Sequence, residues 1–221
     1  MRYSWLRNSI PVLAAAFILA APAAHAGPAA YEQATDIELA AMDLQQKGDL
    51  EGALAKYRQA VQVWPNSKAF KENLADCLNA VGAAKYQAKD YAGAVADFQE
   101  ALTLVPNFQR AKTNLGIAQC EQLNTQGMVL YKNGDFAGAV NMFTQAHAAD
   151  PTNNSATVNL DAAEAEIMMR NNDPAGAVAK LSEAVTLNPT SAYLKDKLAA
   201  AQTALAAAEA KAKEEAAKQG H

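Results

Sequence analysis

An all-α superhelical solenoid of antiparallel helix pairs, closed by a carboxy-terminal capping helix, is predicted by three observations. The pattern Gly/Lys/Asn-Asp-x-x-x-Ala-x6-Ala-x4-Pro occurs four times: Gly48-Asp49, Ala53, Ala60, Pro65; Lys89-Asp90, Ala94, Ala101, Pro106; Gly134-Asp135, Ala139, Ala146, Pro151; and Asn172-Asp173, Ala177, Ala184, Pro189. After each Asp, apolar residues recur at spacings of three and four, as in Leu50, Ala53, Leu54, Tyr57, Ala60, Val61 and Val63, which puts them on one face of a helix. A unit repeated at this interval cannot bury its apolar face alone, so neighbouring copies must stack.

Taken in order, the chain opens with Arg2 and Arg7, an apolar run from Ile10 to Ala21, and the small-x-small site Ala24-His25-Ala26. These are the parts of a secretory signal peptide, so residues 1–26 are set apart from the fold and cleavage is expected after Ala26. The run is too short for a spanning anchor and carries Pro11 near its start. Residues 27–33 form a short linker. Four hairpin repeats follow at 34–67, 68–108, 109–153 and 154–191, and residues 192–221 make an Ala/Lys/Glu-rich capping helix and tail.

Each second helix has its own start and stop signals. Asp49, Asp90, Asp135 and Asp173 stand where an N-cap accepts bonds from unpaired amides, and Pro174 occupies a first-turn position that tolerates proline. Pro65, Pro106, Pro151 and Pro189 end the helices because proline cannot continue the ladder. Twelve residues before the first Ala of each copy stands a small residue, Ala41, Gly82, Gly127 or Ala165, on the preceding helix. Small residues there let two helices approach closely, and Tyr57, Phe98, Phe143 and Leu181 fill the core beside them. In the last segment, Glu209/Lys213 and Glu214/Lys218 support an exposed helix at i, i+4.

These residues resemble the tetratricopeptide repeat family over about residues 34 to 191. The resemblance implies a right-handed superhelix whose first helices line a concave face that binds peptides or proteins. It also implies groove positions: Glu38, Met42 and Gln45 in the first repeat; Asn79, Tyr86 and Gln87 in the second; Asn124, Met128, Tyr131 and Lys132 in the third; Asn159, Met169 and Arg170 in the fourth. Amides suit an extended backbone, and Tyr and Met suit its side chains. The family's clamp for a terminal carboxylate would need basic residues matching Lys132 and Arg170 in the first two repeats, and this chain has none there.

The closing prolines are 41, 45 and 38 residues apart, against a family period of about 34. The surpluses of about 7, 11 and 4 residues correspond to whole helical turns, so they can lengthen the first helix while keeping its buried face in register. Asn73-Leu74, Asn114-Leu115, Asn159-Leu160 and Lys197-Leu198 keep one spacing from the preceding prolines, which ties the start of each first helix to the hairpin before it. Such helices would stagger successive hairpins. The alternative is a break near Asn124 to Gly127, where polar residues and Gly cluster.

Composition narrows the function. Removing Arg2 and Arg7 from the 19 basic residues leaves 17 against 23 acidic, a formal charge of −6, which disfavours nucleic acid or an anionic bilayer as partner. Only His147 and His221 remain beyond the signal segment, and no metal-ligand spacing or nucleophile motif is present, so neither an enzyme nor a cofactor is expected. Cys77 and Cys120 lie on first helices of adjacent hairpins: in an exported protein they are either a disulfide or two buried core thiols. The chain reads as an exported, periplasmic or secreted interaction scaffold that holds a protein or peptide in its groove. The alternative is a binding protein for a small ligand or cell-wall fragment.

Overall fold

The computed structural model describes residues 27–219. The expected signal segment and its cleavage point after Ala26 lie outside them. Within the described residues the protein is nine helices and no strand: α1 (Pro28–Gln46), α2 (Leu50–Val63), α3 (Lys68–Gln87), α4 (Tyr91–Leu104), α5 (Gln109–Lys132), α6 (Phe136–Ala149), α7 (Asn154–Arg170), α8 (Pro174–Leu187) and α9 (Ala192–Gln219). They pair in order as α1/α2, α3/α4, α5/α6 and α7/α8, with α9 packed on α8. This is the predicted all-α solenoid.

The turn inside each pair is the same object four times. Gly48, Lys89, Gly134 and Asn172 hold φ between 63° and 84°. In each copy the next residue, the Asp, sends its amide back five residues, as in Asp49 N–H to the Leu44 carbonyl at 3.0 Å and Asp90 N–H to the Lys85 carbonyl at 2.9 Å. That closes the first helix in a Schellman motif. The same Asp then caps the second helix, its carboxylate accepting the amides of Gly52, Gly93, Gly138 or Gly176 at 2.9 Å. Each such cap contributes about 1 kcal/mol. Glycine at the capped position has a steric cause: a Cβ there would stand 2.2 to 2.4 Å from the Asp carboxylate oxygen.

Packing within the pairs follows the small residues. Ala41, Gly82, Gly127 and Ala165 are fully or almost fully buried on first helices. Glycine is used where the opposing side chain is Phe: a Cβ on Gly82 would lie 2.7 Å from Phe98 Cε1, and one on Gly127 would lie 2.5 Å from Phe143 Cε1. Phe98 and Phe143 are among the largest fully buried side chains.

The unequal repeat lengths reside in the first helices. The connectors and the 14-residue second helices are constant, whereas α3, α5 and α7 run for 20, 24 and 17 residues. Helix α5 passes through Asn124 to Gly127 without interruption, because both residues are buried against neighbouring helices and have packing to hold them.

One expectation is corrected and one alternative is decided. Residues 28–33 are helical rather than linker: Pro28 starts α1, and Tyr31 lies edge-on to Trp64, centroids 5.6 Å apart, and stacked on Phe70 at 5.9 Å. Cys77 and Cys120 are free, not bridged. Cys77 faces backward, its thiol 3.8 Å from the Leu50 carbonyl of α2, while Cys120 packs with Ala146 of α6 and Ala156 of α7. Burial pushes both thiols up to about 11, so they stay protonated and inert at neutral pH.

Candidate partner-binding face

Successive first helices are joined by polar rungs. Asn73 Nδ2 of α3 donates to Glu38 Oε1 of α1 at 2.7 Å, Asn114 Nδ2 of α5 to Asn79 Oδ1 of α3 at 2.8 Å, and Asn159 Nδ2 of α7 to Asn124 Oδ1 of α5 at 3.1 Å. Lys197 of α9 completes the series on Glu166 of α7. The donors keep their spacing from the preceding proline, and the acceptors Glu38, Asn79 and Asn124 stand three residues before the small residue of the pair. Six residues separate Asn73 from Asn79 and ten separate Asn114 from Asn124, distances of about 9 and about 15 Å along the helix axis at 1.5 Å per residue. The added turns thus lie between the two rungs of a helix, and each hairpin steps along the axis relative to the one before it.

This changes the roles of the asparagines. Asn79 and Asn124 were expected to offer amides to a partner strand; they are 5% and 6% exposed, and their carbonyl oxygens are taken by the next helix. Asn159 is a rung donor. Arg170, expected as a groove cation, lies over the Phe136 ring at 4.3 Å and reaches the Gly134 carbonyl at 3.4 Å, which ties it to the preceding turn. Met169 is half-buried in the core of the last hairpin, and Lys132 is exposed.

The two tyrosines also differ from surface anchors. Tyr86 is half-buried beside Ala94, Phe98 and Leu115, its ring 5.4 Å from that of Tyr91. Tyr131 packs with Met128, Ala139 and Phe143, and its hydroxyl lies 3.1 Å from Glu166 Oε1, to which it donates, and 2.6 Å from the Tyr193 hydroxyl. Two repeats and the capping helix therefore converge on one phenol.

Burial first, then the bond to Tyr193, drives the Tyr131 phenol far above its ordinary 10.0. The bonds to Glu166 and Glu164 raise the ammonium groups of Lys197 and Lys180 above 10.5. All three hold their protons more tightly folded than unfolded. The stability they contribute is complete below about pH 10 and is lost progressively as pH rises above the unfolded values and through the raised folded ones. Thermal melts followed by circular dichroism should show Tm falling from about pH 10 upward, and Tyr131→Phe should flatten that fall. An unchanged slope in the variant would remove Tyr131 from the account.

Cavities open between first helices. One of 460 Å³ is lined by Met42, Gln45, Gln46, Tyr57, Asn73 and Asp76, between α1 and α3. One of 230 Å³, with Tyr86, Gln87, Asn114 and Ile117, lies between α3 and α5, and one of 150 Å³, with Met128, Tyr131, Asn159 and Tyr193, lies between α5 and the last two first-position helices, α7 and α9. Sequence reasoning reached Met42 and Gln45 but gave weight to the later repeats, and it missed Tyr57, Gln46 and Asp76. Asp76 lies between Asn73 and Asn79, in turns that a unit of about 34 residues lacks. The position of Asn73 eight residues after Pro65, repeated by Asn114 and Asn159, was the signal that marked this region. Among the described residues, no three His, Cys, Asp or Glu side chains are grouped to hold a metal ion, and no helix is long and apolar enough to cross a membrane.

No curated protein matches the chain. Among solved structures, it is similar to the C-terminal domain, containing tetratricopeptide repeats, of a protein assigned as an FK506-binding protein of Plasmodium falciparum, at 18% identity over 65% of this chain and 95% of that one, with a TM-score of 0.39. It is similar to part of a repeat-containing protein of Cytophaga hutchinsonii at 17% identity, covering 75% and 73% of the two chains, TM-score 0.36. It is also similar to the TPR2AB domain of yeast Sti1, solved as a complex with pHSP90, at 14% identity, covering 79% and 84%, TM-score 0.34. The family description "Tetratricopeptide repeat" matches residues 31–107, which take in the first two hairpins and the Glu38–Asn73 rung between them, and again residues 130–201, from the end of α5 into α9. The span between the two matches, 108–129, is most of the 24-residue α5, whose added turns set it apart. With four capped hairpins, their closing prolines and these two matches, the chain belongs to the tetratricopeptide repeat family.

Proposed function

We propose that this protein is a non-enzymatic interaction scaffold of the cell envelope, which holds a peptide or protein segment along the face made by its first helices. The observation that carries this reading is the succession of cavities between those helices, 460, 230 and 150 Å³, along one side of the array. Each is bordered by amides and by Met or Tyr side chains, a lining suited to main-chain pairing beside apolar side-chain contact. The envelope setting is supported by the charged start, short apolar run and Ala24-His25-Ala26 of the sequence.

Photo-crosslinking amino acids placed at Met42 or Gln87, on this face, and at Gln62 or Gln99, exposed on α2 and α4, test the reading in the native host. A discrete protein adduct is expected from the first two positions. The recovered protein should begin at Gly27. Adducts confined to Gln62 and Gln99 would move the site to the second helices, and none at all would overturn the scaffold. Protein that retains Met1 would remove the export step.

A further inference from the structure

The 460 Å³ cavity between α1 and α3 adjoins a second one of 410 Å³, lined by Glu72, Asn73, Asp76, Asn107, Phe108 and Gln109 among others, between α3 and the start of α5. Both are bordered by Asn73 and Asp76, so together they form a trough that crosses the α3 ridge. The charged residues lining it, Glu72 and Asp76, are carboxylates. Glu38, bonded to Asn73 at 2.7 Å, adds a third at its edge. Helix α1 carries Glu32, Asp36, Glu38 and Asp43 and no Lys or Arg.

The cations nearby neutralise this field only weakly. Lys47 pairs with Asp43, Lys68 with Glu72 at 3.3 Å, and Arg110 stands 3.8 Å from Asp76, all on exposed side chains where solvent screens the pair. The field reaches the floor of the cavity: after burial and Cys77, Glu38 and Asp76 push the Tyr57 phenol up. Beside them Met42, 44% exposed, gives an apolar wall. Gln45 accepts the Tyr57 hydroxyl at 3.1 Å through Oε1, so its amide nitrogen is turned to other acceptors.

From this complementarity we infer that the trough takes an extended peptide segment bearing Lys or Arg, its cation held by Asp76 and Glu38 and a neighbouring apolar side chain packed on Met42. The inference rests on the scaffold reading above and adds the charge class and place of the partner. An acidic segment would set its carboxylates against three of like sign, which disfavours it on encounter and in the bound state.

The test pans a random dodecapeptide display library on the immobilised full chain and on its E38Q/D76N double variant. E38Q keeps the oxygen that accepts Asn73, and Asp76 is exposed, so the variant should retain its helicity. Peptides enriched on the parent chain should carry more Lys and Arg than Asp and Glu, next to an apolar residue. A synthetic copy of one should bind the variant about tenfold more weakly, with a steeper loss in salt for the parent. Enrichment without a basic excess, or equal binding to the variant, overturns the inference and leaves the scaffold standing. No enrichment at all overturns both.

Discussion

Replacing Gly127 with valine should unfold the centre of the array. A Cβ alone at this position would stand 2.5 Å from Phe143 Cε1, 2.7 Å from Cδ1 and 3.0 Å from Cζ. The ring is fully buried. Overpacking of this kind costs about 3 kcal/mol or more for valine and about 2 for alanine. In an array where each hairpin is supported by its neighbours, that loss is felt by α5 to α8 together. Phe143→Ala should cost about 3 to 5 kcal/mol by leaving a cavity. Combining Gly127→Ala with Phe143→Leu should cost less than the sum of the two, since the smaller side chain makes room for the methyl. Urea denaturation followed by circular dichroism measures all of these. A Gly127→Val chain with an unchanged midpoint would mean that α5 and α6 do not approach as described.

Tyr131→Ala should cost about 3 kcal/mol of stability, because it removes a ring packed among core side chains. The ring also lies 5.0 Å from Phe136, and its hydroxyl joins Glu166 and Tyr193. Tyr131→Phe keeps the ring and should cost about 1 kcal/mol for the lost hydroxyl contacts. The difference separates packing from the polar junction of α5, α7 and α9. A surface anchor would behave otherwise: truncation would leave the urea midpoint in place and weaken only partner binding. That result would return Tyr131 to the role expected from its groove position.

Local spacing determined most of the architecture. An Asp with a left-handed residue before it, Ala seven residues apart and a proline to finish specify a capped 14-residue helix without reference to any neighbour. The whole-turn surpluses placed the extra residues in the first helices for the same reason, since a buried face survives only if added residues respect the helical period. The sequence also contained, unread, the Gly three residues after each capping Asp; its cause is the carboxylate that would collide with a Cβ.

Tertiary structure alone decided what the polar groove positions do. Asn73, Asn114 and Asn159 repeat visibly along the chain, yet their acceptors lie 35 residues upstream and are reached only once the intervening turn and second helix bring two first helices side by side. Asn79, Asn124, Tyr131 and Arg170 occupy positions that family geometry turns toward a partner, and here a neighbouring hairpin engages them first, the next one for the first three and the preceding one for Arg170. Cys77 and Cys120 share a helix type but face opposite neighbours, because Cys77 stands four residues after its rung Asn and Cys120 six, a difference of about 200° around the helix. Helix periodicity is set by contacts within a few residues and can be read from spacing. Whether a polar side chain meets solvent, a partner or the next helix depends on the axial offset between hairpins, which exists only once they have packed.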